Sequence, residues 1–310
     1  MKIGYLLPTR EQAMAGRHET GPMLGLAERA ATLGFASIWI GDSLTARPRH
    51  EPLAMLAAVA ARVPKVQIGT AVLLPALRNP VLLAHQVATL DRISEGRLIL
   101  GVGIAADVPS IRAEFVAAGV PFEKRVGRFL EGLRLCRALW SGRPVDWNGR
   151  WTLSQATIAP MPERPGGPPL WLAGSLPASL VRTGRHFDGW IPNGGDAAQW
   201  RTQWAEIRKV ARETGRDPDQ LTGSKYLTAT LDDDVTAANA RLDAYLETYY
   251  GMPAAVSRRR QACYAGTAAG LAAELRGYAD AGVQHLVLRC AGDQHKHLEI
   301  VAPLAAGLAR

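Results

Sequence analysis

The 310-residue sequence predicts a closed (β/α)8 barrel, the TIM-barrel fold. Residues 66–104 are the clearest indication, because they read as strand, turn, helix and strand. Both strands are nearly continuous apolar runs, as expected when helices cover both faces of a parallel sheet. The same alternation recurs eight times along the chain, which favours parallel α/β architecture. Eight such units in about 300 residues are ordinary for a barrel but long for an open sheet.

The first half of the chain alternates regularly. Strands are predicted at 3–8, 37–40, 66–74 and 97–102, each an apolar run that ends in turn residues. Helices are predicted at 21–33, 51–62, 80–94 and 121–140. The first helix stops at Gly34, and the fourth repeats apolar residues near the 3.6-residue helical period.

Residues 142–169 interrupt the alternation. Six prolines surround the alternating segment WTLSQATI, which indicates a small hairpin or irregular excursion rather than an interdomain linker. Strands are then predicted at 169–173, 189–192, 224–231 and 284–289, helices at 177–186, 197–214, 235–250, 267–281 and 295–308, and a loop at 251–266. We therefore expect one domain over residues 1–310, with insertions after strands four and seven.

Composition excludes several classes of protein. The formal charge is 36 − 28 = +8, but the basic residues are dispersed, and the cluster Arg258–Arg260 lacks interleaved aromatic residues. This argues against nucleic-acid binding and favours a basic rim around an anionic cofactor or substrate. No apolar run reaches the roughly 18 residues of a membrane span. The scattered Cys136, Cys263 and Cys290, together with the absence of a signal-peptide pattern, favour a reduced, cytoplasmic chain.

The chemistry of such a barrel belongs at the C-terminal ends of its strands. The motif Gly101-Val-Gly103-Ile-Ala-Ala106 matches a dinucleotide fingerprint, but Pro109 follows too soon for a helix to begin at the pyrophosphate. The segment 174–179 is a better phosphate site, since Pro177 suits a first helical position and the amides and hydroxyls there could bind an anion. An ordinary helix cap by Ser175 remains the alternative. The seven histidines show no metal-ligand spacing, and no hydrolase motif is present.

Four ordered segments resemble the bacterial-luciferase-like, flavin-dependent oxidoreductases, also called luciferase-like monooxygenases. The matching segments are LGFASIWIGDS, IGTAVLLPALRNPVLLAHQVATLDRISEGRLILGVG, VPFEKRVGRFLEGLRLCRALWSG and PLWLAGSLPASLVRTGRHFDGWIPN. The resemblance implies a barrel that binds FMN, or the related deazaflavin coenzyme F420, at its strand ends. It also implies a non-proline cis peptide at Ala71–Val72, behind the flavin ring.

The resemblance and the strand-end rule together assign the candidate site residues. Those expected to bind the cofactor are Thr70, Ala71, Val72, Gly103, Ile104, Ala105, Gly174, Ser175, Leu176, Ala178 and Ser179. Those expected near the reacting centre are Asp42, as an acid, base or hydroxyl ligand, Ser43, and Arg289, which would bind an anionic substrate or form a salt bridge at the barrel mouth. No metal ligand is expected.

Two positions depart from the family. Ser43 stands where many members have a histidine, and Ile104 where some have an arginine. A histidine-based mechanism is therefore not expected, and backbone amides or other groups would have to neutralise the phosphate.

The leading functional expectation is a monooxygenase that uses reduced FMN and O2 on a small organic substrate, with a separate flavin reductase as a possible partner. The alternatives are F420-dependent hydride transfer, a non-catalytic flavin-binding relative, or a nicotinamide dehydrogenase. The protein is expected to form a homo-oligomer.

Overall fold

The computed structural model describes residues 1–308, which form eleven strands and twelve α-helices. The strands are β1 (Lys2–Leu6), β2 (Ser37–Ile40), β3 (Gln67–Leu73), β4 (Leu98–Val102), β5 (Val145–Asn148), β6 (Thr152–Ala156), β7 (Leu170–Leu172), β8 (Gly189–Trp190), β9 (Thr222–Leu231), β10 (Cys263–Gly266) and β11 (His285–Cys290). The helices are α1 (Thr9–Met14), α2 (Gly21–Thr32), α3 (Pro52–Arg62), α4 (Pro80–Ile93), α5 (Pro109–Ala117), α6 (Arg125–Leu139), α7 (Pro177–His186), α8 (Ala197–Glu213), α9 (Val235–Tyr250), α10 (Ala254–Arg260), α11 (Ala268–Ala281) and α12 (Gln294–Leu308).

Within these residues, eight parallel strands close the predicted barrel. The order is β1-β2-β3-β4-β7-β8-β9-β11, and β11 pairs with β1 to complete the circle. Besides pairing with β7, β8 pairs with the first two residues of β9, and β10 pairs with the last four residues of β9. The insertions after the fourth and seventh barrel strands are confirmed: the first contains the antiparallel hairpin β5–β6, and the second contains α9, α10, β10 and α11.

Large rings fill the barrel interior. Trp39, Trp171 and His285 pack against one another, with ring centroids 5.5–5.6 Å apart. Glycines make room for them, because a Cβ on Gly69 would lie 2.4 Å from the Trp39 ring and one on Gly4 would lie 2.2 Å from the Ser37 hydroxyl. The barrel is therefore a packed core below its mouth, and the space for a ligand lies at the top.

The helices cover the outside of the barrel with their apolar faces. Neighbouring helices pack in the order α4, α3, α2, α12, α11, α8 and α7, and α4 also packs on α6. No helix in residues 1–308 is long and apolar enough to cross a membrane.

The structure corrects several sequence predictions. The segment 251–266, predicted as a loop, contains α10 and β10, and the short helices α1 and α5 were not predicted. The helix predicted at 121–140 begins with a 3-10 turn, Phe122–Lys124, before α6. The predicted strand 189–192 is reduced to the two residues of β8. These errors concern short elements, for which periodicity carries little information.

Candidate active site

A pocket of about 550 Å3 opens at the C-terminal ends of the barrel strands. Most of the predicted site residues line it: Asp42, Ser43, Ala71, Val72, Gly103, Ile104, Ala105, Gly174, Leu176, Ser179 and Arg289. Thr70, Ser175 and Ala178 do not line it. Strand-end reasoning therefore brings residues from both halves of the chain to one cavity.

The floor of the pocket is the junction of β3 and β4. The Ala71–Val72 peptide is cis, as predicted, and the pairing of β3 with β4 shifts register between Thr70 and Leu73. The side chain of Thr70 is buried, does not line the pocket and donates to the Gly101 carbonyl at 2.7 Å, so its contact with a cofactor stays a prediction.

The glycines of the G-x-G motif allow β3 and β4 to approach closely. A Cβ on Gly101 would lie 2.1 Å from the Thr70 carbonyl oxygen, and one on Gly103 would lie 2.8 Å from Val72. Strand packing thus explains the motif without a dinucleotide. No helix begins until α5 at Pro109, six residues after Gly103.

The predicted phosphate site lies at the junction of β7 and α7. Gly174 has φ +105°, a conformation that favours glycine, and Ser179 lies in the first turn of α7. The residue before the helix is Leu176, and no side chain caps it; the alternative role of Ser175 as a cap is therefore wrong. The Ser175 hydroxyl is buried and lacks a hydrogen-bond partner among residues 1–308, and Ala178 is exposed.

Two arginines that the sequence analysis missed line the same pocket as this junction. Arg182 follows Ser179 by one helical turn on α7, and Arg125 begins α6; both line the pocket. Arg125 stacks on the Phe122 ring at 3.7 Å, and its buried Nε has no hydrogen-bond partner within the described chain. These two guanidinium groups provide the positive charge that Ile104 cannot. The spacing of three residues between Ser179 and Arg182 was the signal that could have identified one of them.

Asp42 is held in a structural ion pair. Its Oδ2 accepts from Arg78 at 2.5 Å and from the Leu74 amide at 2.9 Å, while its Oδ1 accepts from Arg78 at 3.1 Å. Its side chain is 1% exposed. A carboxylate fixed in this way by a bidentate arginine positions the loop after β3, and the geometry argues against its predicted role as a mobile acid or base.

Ser43 belongs to a loop organised by the buried Glu114 of α5. One oxygen of Glu114 accepts the Ser43 hydroxyl at 2.6 Å, and it also accepts the amides of Leu44, Thr45 and Ala46. The Ser43 oxygen in turn accepts the Arg47 amide at 2.9 Å. Ser43 therefore shapes the loop at the pocket edge rather than standing free to react.

Arg289, at the end of β11, lies among tyrosines instead of acids. The guanidinium carbon lies 4.4–5.6 Å from the centroids of four tyrosine rings: Tyr226, Tyr245, Tyr249 and Tyr250. It donates to Thr228, to the Tyr250 hydroxyl and to Gln261 at 3.0–3.2 Å. It forms no salt bridge with the described residues, so the predicted salt bridge is wrong. A buried guanidinium without a counter-charge is a candidate anion receptor.

The pocket as a whole is strongly basic. Its lining includes five arginines, Arg47, Arg49, Arg125, Arg182 and Arg289, and none of these pairs with an acid within residues 1–308. Its one acidic lining residue, Asp42, is already paired with Arg78. The sequence analysis expected a basic rim but missed Arg47 and Arg49, which lie in the loop after β2, and the tyrosines of α9.

The cavity can accommodate a flavin-like group. The floor at Ala71 and Val72 and the glycine-containing β4 end leave space for a flat ring, and the free arginines, including Arg125 with its unpartnered Nε, suit a phosphate. Among the described residues, no cluster of three histidine, cysteine, aspartate or glutamate side chains could hold a metal ion.

Comparison with known proteins agrees with this geometry. A family model for luciferase-like monooxygenases matches residues 1–287. An F420-dependent glucose-6-phosphate dehydrogenase of Kineococcus radiotolerans is 30% identical over 96% of this chain and 94% of its own length. The enzyme of the same name from Amycolatopsis mediterranei is 31% identical over 96% and 95%.

Solved structures share the fold. A monooxygenase from Streptomyces bottropensis superimposes with a TM-score of 0.84 at 25% identity over the full length of both chains. An F420-dependent secondary alcohol dehydrogenase also gives 0.84, at 20% identity over 99% of this chain and 98% of its own. With a family match over nearly the whole chain and a barrel of the same topology, this protein belongs to the luciferase-like monooxygenase family of TIM-barrel oxidoreductases.

Proposed function

We propose that this protein is an F420-dependent oxidoreductase that transfers hydride between the deazaflavin and an organic substrate with an anionic group. The observation that carries the proposal is the pocket with five arginines that lack acidic partners among residues 1–308. The full-length similarity to F420-dependent glucose-6-phosphate dehydrogenases supports the choice of cofactor over the FMN of the leading sequence expectation.

The cofactor would lie across the β3, β4 and β7 ends. Ala71, Val72 and Gly103 would contact the ring, and the Gly174 turn with Arg182 would hold the phosphate. When bound, the deazaflavin would supply two-electron hydride chemistry, while the protein orients the substrate and excludes water.

The substrate would bind towards the β9 and β11 side of the pocket. Arg289, with Arg47 and Arg49 nearby in the lining, would receive its anionic group. Burial raises the pKa of the Tyr226 phenol, and Tyr226 lines the pocket. Tyr226 therefore stays protonated and can donate to a substrate oxygen, a task that neither Asp42 nor Ser43 is free to perform.

A monooxygenase that uses reduced FMN is the second candidate, because a full-length structural relative at 25% identity is a monooxygenase. In that case a separate flavin reductase would be the partner. The two candidates differ in the cofactor that binds tightly.

The proposal is tested by titrating one preparation of the protein with F420 and with FMN. We expect F420 to bind at least tenfold more tightly, a difference of about 1.4 kcal/mol. Tighter binding of FMN would favour the monooxygenase, and binding of neither would remove both candidates.

Gly174→Glu is expected to weaken F420 binding at least tenfold, because it places a carboxylate at the proposed phosphate site. Gly174→Ala is the matched control: it adds the same backbone strain at φ +105° and a Cβ 3.1 Å from the Ser179 hydroxyl, but no charge. Equilibrium titration of both variants separates the two effects. Equal affinities for the two variants would show that the phosphate lies elsewhere.

A further inference from the structure

A second cavity, of about 390 Å3, lies outside the barrel between α6 and α7. The other neighbouring helices of the ring pack against each other, but α6 and α7 do not pack side by side. Phe129 of α6 stacks on Phe187, a lining residue just after α7, with ring centroids 6.0 Å apart. The gap is separate from the active-site pocket, since the two share no lining residue.

Five arginines line this cavity: Arg134 and Arg137 of α6, Arg150 of the β5–β6 turn, Arg185 of α7, and Arg216. Asp188 pairs with Arg137 and Arg216, and Glu131 pairs with Arg150. The local balance is therefore 5 − 2 = +3. Arg134 and Arg185 are exposed and form no salt bridge with residues 1–308.

The positive charges of these arginines affect the pKa of the neighbouring His186. Its pKa is lowered by partial burial and by the charges of Arg185, Arg216, Arg134 and Arg137. The ring therefore stays neutral near pH 7, and it adds no further positive charge to the cavity.

The base of the cavity is apolar. Leu130, Leu133, Leu170 and Phe187 form it. Guanidinium forks recognise phosphate oxygens in a bidentate manner, and an apolar base accepts a ring or a chain. A cavity of this volume lies in the range of small-molecule sites, about 300–1,000 Å3.

We propose that the cleft between α6 and α7 binds a nucleotide-sized molecule that carries two or more phosphate charges on an apolar body. The phosphates meet Arg134 and Arg185, and the apolar body rests on Leu130 and Leu133. This site is independent of the proposed F420 function.

The test is isothermal titration of the full-length protein with ADP, pyrophosphate and adenosine. We expect ADP to bind one to one, with pyrophosphate and adenosine each at least tenfold weaker. The double variant Arg134→Gln/Arg185→Gln is expected to weaken ADP binding at least tenfold. The control Arg17→Gln/Arg276→Gln removes two exposed arginines outside the cleft and is expected to leave ADP affinity unchanged.

Four results would overturn the proposal. ADP that fails to bind at about 1 mM has no site here. If ADP binds equally well to the double variant, it occupies another site. If F420 displaces ADP, ADP likewise occupies another site. Pyrophosphate that binds as tightly as ADP would exclude a role for the apolar base.

Discussion

Arg289→Gln is expected to lower kcat/KM for an anionic alcohol at least 100-fold, a loss of about 2.7 kcal/mol. The guanidinium is 2% exposed and has no acidic partner among residues 1–308, so its positive charge is available to an anionic group in the pocket. Losing a charge-assisted contact in a buried site is costly because water does not replace it. The assay follows F420 reduction with the best substrate from a panel that includes glucose 6-phosphate and glucose.

Two controls distinguish recognition from folding. Arg289→Lys keeps the positive charge and is expected to recover part of the lost activity, whereas Arg276→Gln changes an exposed arginine and is expected to have no effect. F420 affinity should be the same in all three variants. If Arg289→Gln lowers activity equally for charged and uncharged substrates, Arg289 does not recognise the anion.

The wild-type protein is expected to lose about 2.5 kcal/mol of stability between pH 7 and pH 4.5 through His285 alone. Burial lowers the pKa of His285 to about 3, from 6.5 for an unperturbed histidine. Its ring contacts Trp39 and Trp171, and its Nε2 lies 2.7 Å from the Ser37 hydroxyl.

The sign follows from proton binding. Well above pH 6.5 the histidine is neutral in both the folded and the unfolded chain, and it contributes no pH dependence. Below pH 6.5 the unfolded chain binds a proton that the folded barrel does not accept, so stability falls until the folded pKa is reached.

Urea unfolding at pH 7 and pH 4.5 measures this contribution. His285→Phe keeps an aromatic ring in the barrel but cannot be protonated, so its stability should fall by about 2.5 kcal/mol less than that of the wild type over this interval. Each protein is compared with itself, and the cost of the lost hydrogen bond to Ser37 therefore cancels. If the free energy of unfolding falls equally in the wild type and in His285→Phe, the acid sensitivity comes from other groups.

The barrel could be predicted because each of its strands and helices can be recognised from the residues of that segment alone. Each strand, such as 66–74, is a buried apolar run that ends in turn residues, and the eightfold alternation identifies the fold. The short helices were not predictable in the same way. α10, for example, carries Arg258–Arg260 without a clear apolar face, and it is held by contacts to α9, including the ion pair of Arg258 with Asp243.

Positions of site residues were predictable, but their partners were not. The strand-end rule places Asp42 and Arg289 at the pocket. The roles of both depend on residues distant in sequence: Asp42 is held by Arg78, 36 residues later, and Arg289 by Tyr250, 39 residues earlier. Whether Arg182 faces the pocket depends on the rotation of α7 about its axis, and the pattern of strand residues gives no information about that rotation. The sequence analysis expected Ser43 near the reacting centre, but its hydrogen bond to Glu114 required the structure.

The comparative titration with F420 and FMN is the most direct test of the account. A competition experiment compares the two affinities directly. Protein saturated with F420 is mixed with increasing amounts of FMN, and the fraction of F420 that remains bound is measured. The proposed function predicts that an equimolar amount of FMN displaces less than about one tenth of the bound F420. Displacement of most of the F420 by equimolar FMN would contradict it.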